Sequence, residues 1–166
     1  EVDIIPGNLE SIIKTLDLKP LGYIDYQEAV SIYFSEKEHN AFTAMIVEID
    51  VHVVSLFVYQ NGALVFSESL KRGDTITTDI EKLFISAQAV VLLPSRILIY
   101  DSCIMEDTVE TVVAHQWSEK LFVQIPQFEI LSENQLLTAL FFAFTEQLFE
   151  KKIAIKEAHD EAPPRV

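Results

Sequence analysis

The run from position 41 to position 84 most constrains what this chain can fold into, because three strand-like segments joined by tight turns lead there into a helix. Residues 44–50, 53–59 and 63–69 are short, rich in Val, Ile and Phe, and each too brief for a buried helix. Asp50 closes the first of them. The last two are joined by Gln60-Asn61-Gly62, a hairpin signal because Asn and Gly accept positive φ. Three such segments in sequence form an antiparallel meander.

Composition narrows the partners. At 166 residues and 49% hydrophobic content, the chain can bury one substantial core. Its 26 acids against 12 bases give a formal charge of -14, which repels phosphate backbones and anionic lipid, so nucleic acid and membrane adsorption are disfavoured. The single cysteine, Cys103, cannot form an internal disulfide, and no Cys/His set has zinc spacing; a reducing, cytoplasmic compartment fits. No apolar run approaches the roughly 20 residues of a membrane span, and no basic-then-apolar leader opens the chain, so no membrane insertion is expected. Glu1 stands first without a methionine, as in a piece excised from a longer protein, with further domains expected outside it.

Around the meander the pattern is helical. Asn8 is placed to cap a helix carrying Leu9, Ile12, Ile13 and Leu16, with Lys19-Pro20 as its stop. A short strand is expected over 21–24, a second helix over 26–34 and a polar loop over 35–40. After the meander, Lys71-Arg72-Gly73-Asp74 makes a turn, and Thr78 with Glu81 matches a capping box opening a helix to about Val91, ended by Pro94. A strand over 96–100 follows, then a helix over 106–117 with Val109, Val112 and Val113 inward, and a strand over 121–125. Ser132 with Gln135 caps a last helix to about Lys152, whose Leu136, Leu137, Leu140, Phe141, Phe144 and Leu148 read most simply as core packing. The tail over 157–166, with Pro163-Pro164 and mixed charge, reads as disordered or a linker. Three parts result: a leading helix-strand-helix segment over 1–40 that packs on the main domain, the domain itself over 41–156, and the tail.

From position 41 onward the order is three antiparallel strands, helix, strand, helix, strand, helix. This order is that of the ribonuclease H-like fold, which also builds each half of the actin-like ATPases: an α/β architecture with a five-stranded mixed sheet and helices on both faces. The residues sharpen the likeness. Ile46-Val47-Glu48-Ile49-Asp50, the Asn61-Gly62 hairpin, Gly73-Asp74-Thr75-Ile76-Thr77-Thr78-Asp79-Ile80 and the segment from Arg96 to Ser102 resemble, in order, the second half of the cell-division protein FtsA and the pilus-assembly protein PilM. In that family the turn after the acid is glycine-rich, so that backbone N–H groups approach a nucleotide phosphate. Here Val51-His52-Val53-Val54 stands there, and Tyr100-Asp101-Ser102-Cys103 replaces a second glycine turn. The chain has four glycines in all, and no alternative phosphate loop. The resemblance therefore implies a degenerate actin-like domain in which Asp50, His52, Asp101 and Ser102 mark a vestigial nucleotide site, with no cofactor and no catalysis. It also implies a cytoplasmic adaptor beneath a membrane complex, which binds a protein partner such as a short cytoplasmic segment of a membrane protein and assembles with itself.

Two other chemistries compete. Asp50 and Asp101 end the strands that hold two divalent metals in nucleases of this fold, and Asp79, Glu81 or Glu133 are candidates for a third carboxylate. Asp at a strand end more commonly satisfies turn N–H groups, and the chain lacks basic patches for a nucleic-acid substrate. An ATP-binding actin-like fragment is the nearer alternative. His39, His52, His115 and His159 share no ligand spacing, Cys103 reads as a small buried residue with His52 as its one conceivable base, and Trp117 as a core-edge residue. The last helix is apolar on more than one face, which a single small domain cannot bury alone and which favours a binding partner.

Overall fold

The computed structural model describes residues 7–17, 24–101 and 106–160. Helix α1 (Gly7–Thr15) and helix α2 (Tyr26–Glu38) precede the meander β1 (Ala44–Ile49), β2 (Val53–Gln60) and β3 (Ala63–Lys71). Then come α3 (Ile76–Gln88), β4 (Arg96–Asp101), α4 (Glu106–Ala114), β5 (Gln127–Ile130) and α5 (Glu133–Asp160). The strands form one sheet in the order β3-β2-β1-β4-β5, antiparallel across the meander and parallel from β1 to β4 to β5.

Alternation along β1 builds the two layers. Met45, Val47 and Ile49 point to one face and pack with Ile80, Leu83 and Phe84 of α3 and Val109 and Val112 of α4. Ala44 and Ile46 point to the other and meet Ala29, Val30 and Phe34 of α2 and Leu136, Ala139 and Ala143 of α5. A central parallel strand is buried on both faces, which is why β1 and β4 are almost continuously apolar. The β2–β3 turn has the geometry its sequence demands, with Asn61 at φ 52° and Gly62 at φ 80°. It is also anchored from outside: Gly62 N–H donates to the Phe42 carbonyl at 2.8 Å and Asn61 N–H to Thr43 Oγ1 at 2.9 Å.

Several expectations need correction, the first being that the polar loop expected over 35–40 is helical as far as Glu38. The fifth strand lies at 127–130 and not at 121–125: Leu121 and Phe122 drop into the core beneath Phe84, while Val123 and Ile125 face solvent. Pro126, without an N–H, separates that stretch from β5, whose ladder to β4 is flanked by Gln127 N–H on the Ser95 carbonyl at 2.7 Å and Leu131 N–H on the Ile99 carbonyl at 2.8 Å. Helix α3 begins at Ile76 with Thr75 as its N-cap, so no Thr78–Glu81 capping box forms; the Thr78 hydroxyl is held by Thr75 at 2.6 Å instead. Helix α4 stops at Ala114, before Trp117, and Val113 is exposed. Helix α5 runs to Asp160, through positions 157–160 that read as tail.

The Ser132–Gln135 box does form. Ser132 N–H donates to Gln135 Oε1 at 2.9 Å and Gln135 N–H to Ser132 Oγ at 3.3 Å. The inward positions of α5 are nevertheless Leu136, Leu140 and two alanines, not its phenylalanines: Leu137, Phe141, Phe144 and Leu148 are exposed. Alanine at 139 and 143 lets α5 lie close to α2, and Phe142 meets Tyr33 edge-on at 6.1 Å. The strand expected over 21–24 falls almost wholly outside the described residues.

Candidate functional site

The parallel pairing of β1 with β4 brings the two sequence-predicted acids to one sheet edge. Ile49 is registered with Asp101, so Asp50, the next residue, emerges beside the last residue of β4. Ser102, the fourth predicted site residue, and Cys103 lie outside the described residues.

The connection after Asp50 is a tight, closed turn. Asp50 N–H donates to the Val53 carbonyl at 2.9 Å, leaving only Val51 and His52 between this bonded pair. The Arg72 guanidinium then donates to the Asp50 carbonyl at 3.1 Å, and the Arg72 N–H to the His52 carbonyl at 2.8 Å. Arg72 therefore pins both ends of the turn from the end of β3. A phosphate-binding loop needs several backbone N–H groups converging on open space and residues without Cβ at the closest approach. This turn carries Val51 and His52, both exposed, and its Asp50 N–H is spent on closing the hairpin.

Behind the turn the edge is acidic. Glu48 interrupts the apolar run of β1 on the face it shares with Ile46, and burial first, then Asp50 and Asp25, push its carboxyl above the ordinary range. Tyr100 on β4 is raised too, by burial and then by Tyr26, Glu48, Glu133 and Asp101. The rings of Tyr26 and Tyr100 lie 5.8 Å apart, and the recess they form with Glu48, Val30, Phe57 and Leu136 has a volume of only about 10 Å³. That recess holds no more than a water. Negative charge gathered at this edge opposes a nucleotide's phosphates as a like charge. Among the described residues no three His, Cys, Asp or Glu side chains come together as a metal-binding group, so Asp50 and Asp101 do not assemble with Asp79, Glu81 or Glu133.

Sequence reasoning named Asp50, His52 and Asp101 as site residues and Tyr100 as part of the segment replacing a glycine turn, and missed Glu48 and Tyr26. The available signal was the parity of β1: a Glu two residues before a strand-ending Asp, inside an otherwise apolar run, must sit on one of two covered faces.

A larger groove of about 610 Å³ lies at the N-terminal end of β5, the opposite edge of the sheet, lined by Val113, His115, Trp117, Phe122, Ile125 and Phe128 among others. Trp117 is buried there, as expected of a core-edge residue; its Nε1–H donates to the Val112 carbonyl at 3.3 Å, and the His115 ring meets it at 4.6 Å.

The topology is ribonuclease H-like. No protein-family model matches the chain, and no curated protein matches it either. Among solved structures, a Bacteroides thetaiotaomicron protein with an actin-like ATPase fold and unknown function is similar at 17% identity and a TM-score of 0.42, the match covering 69% of this chain and 43% of that one. The chain thus spans less than half the length of that protein. No helix among the described residues is long and apolar enough to cross a membrane.

Proposed function

We propose that this domain is a non-catalytic assembly module on an actin-like fold, used for its surface and not for nucleotide chemistry. One observation carries the reading: the loop that would cradle a phosphate is a two-residue hairpin without glycine, closed by its own backbone and pinned by Arg72. The acidic edge behind it and the small recess between Tyr26 and Tyr100 support the same reading. On the resemblance to FtsA and PilM, the module works in the cytoplasm, beneath a membrane complex, and takes a protein partner such as a short segment of a membrane protein. An acidic surface suits a basic segment.

The test is thermal stability of the purified domain with and without millimolar Mg-ATP, and with Mn²⁺ alone. A ligand that binds only the folded state at a hundredfold excess over its Kd adds about 2.7 kcal/mol, which for a domain of this size is about 5–10 °C in Tm. The expected result is no shift. A rise with Mg-ATP that disappears in Asp50→Ala would overturn the reading in favour of an ATP-binding actin-like domain, and a rise with Mn²⁺ alone would favour a metal-dependent nuclease.

A further inference from the structure

Helix α5 has 28 residues and is about 42 Å long at the usual rise, yet its fully buried positions, Leu136, Ala139 and Ala143, all fall in its first half. Among the described side chains beyond Ala143, none is buried. On a second face, Leu137, Phe141, Phe144 and Leu148 follow one another at spacings of four, three and four residues, and they are 45%, 74%, 36% and 41% exposed. That spacing is the seam of a coiled coil. The contacts to α2 come from another side of α5, through Phe142 on Tyr33, so α2 leaves this stripe uncovered.

We infer that the stripe Leu137–Phe141–Phe144–Leu148 is a self-association seam, on which α5 of a second copy of this chain packs antiparallel. This rests on the assembly reading above and names its partner and surface. Three arguments select a second copy. The stripe is complementary to itself, because a 4-3-4 ridge of large apolar side chains fits the same ridge from a twofold-related helix. The four side chains expose about 400 Å² per copy, taking roughly 200 Å² for a large side chain, so a pair with its flanking positions reaches the roughly 1,000 Å² that a specific interface requires. In an antiparallel pair centred between Phe141 and Phe144, Phe141 falls opposite Phe144 and Leu137 opposite Leu148, so the stripe covers itself. In a parallel pair two domains of formal charge -14 would stand side by side, and the antiparallel arrangement offsets them along the seam.

Sedimentation equilibrium of the 166-residue chain between 1 and 100 µM tests this. The expected result is a dimer that tightens as salt rises, since screening weakens the repulsion between two acidic copies. Phe141→Glu should weaken dimerisation at least thirtyfold, and Leu137→Glu likewise, while Phe149→Glu, equally exposed but off the stripe by helical angle, should change it less than threefold. Circular dichroism of each variant checks that the helices persist. A monomer at 100 µM, a dimer indifferent to both stripe variants, or one lost equally with Phe149→Glu would overturn the inference. A monomer that shows no Mg-ATP shift would still leave the assembly reading standing, whereas a dimer with an Mg-ATP shift would remove that reading and keep the seam.

Discussion

Replacing Asp79 by Asn isolates one buried charge. Asp79 is almost fully buried at the start of α3, where its Oδ2 accepts the Gly73 N–H at 2.6 Å and its Oδ1 takes the Lys82 ammonium at 3.1 Å. The Gly73 bond lowers its pKa most; burial opposes this, and Lys82 and Arg72 add to the lowering. Asparagine keeps the shape and one carbonyl acceptor but loses the charge. A hydrogen bond to a charged group is worth about 1.5–3 kcal/mol against about 1 for a neutral one, and the Lys82 pair adds little because the lysine is largely exposed. The expected loss is thus about 1–2 kcal/mol at pH 7, or about 2–8 °C in Tm. The sign of the pH dependence follows from the lowered value. The charge stabilises the fold above the ordinary Asp range near 4, and that contribution is lost as pH falls through the lower folded-state value. Wild type and variant should therefore converge in urea titrations taken from pH 7 down to pH 2.5. Equal stability at pH 7, or a gap that persists unchanged in acid, would refute the assignment of Asp79 as an ionised anchor of the turn before α3.

Two further outcomes follow from the packing and the acidic edge. Glu48 has the opposite sign: its raised value means the fold disfavours the charged form, so stability it contributes below its unfolded value is lost as pH rises, and Glu48→Gln should raise Tm at pH 8 with no gain at pH 4, read by thermal melts at both. Phe84 is fully buried with Trp117 and Phe122 edge-on at 5.2 and 5.3 Å, so Phe84→Ala should cost about 3–5 kcal/mol in chemical denaturation; a loss under 1 kcal/mol would mean this cluster is not the core it is described as.

How far the sequence could be read depended on how local each signal was. The hairpin at Asn61-Gly62 and the box at Ser132 and Gln135 are settled within a few residues, and they stand where the sequence puts them. Helix α3 was misplaced at its start because Thr75, three residues before the expected cap Thr78, takes the N-cap position, with Asp79 turned inward to the Gly73 N–H. The fifth strand was misplaced because Leu121-Phe122-Val123 has strand composition, while Phe84 offers Phe122 a better burial than a ladder does. Of the candidate site, Asp50 and Asp101 were legible as strand ends and Tyr100 as part of the segment beside Asp101; that Glu48, Tyr26 and Tyr100 come together was not, since their proximity exists only once β1, β4 and α2 are stacked.

The α/β class, the meander and the absence of glycine where a phosphate loop would need it are all legible in the order of residues alone. Those follow from backbone geometry and side-chain periodicity, which act over a few residues. Which apolar residues of α5 are interior is set by packing between helices, because Ala139 and Ala143 permit the close approach of α2 and leave the larger Leu137, Phe141, Phe144 and Leu148 on the outside. Hydrophobicity says that a residue gains by leaving water; the space left between neighbouring elements selects which residues do so within the fold.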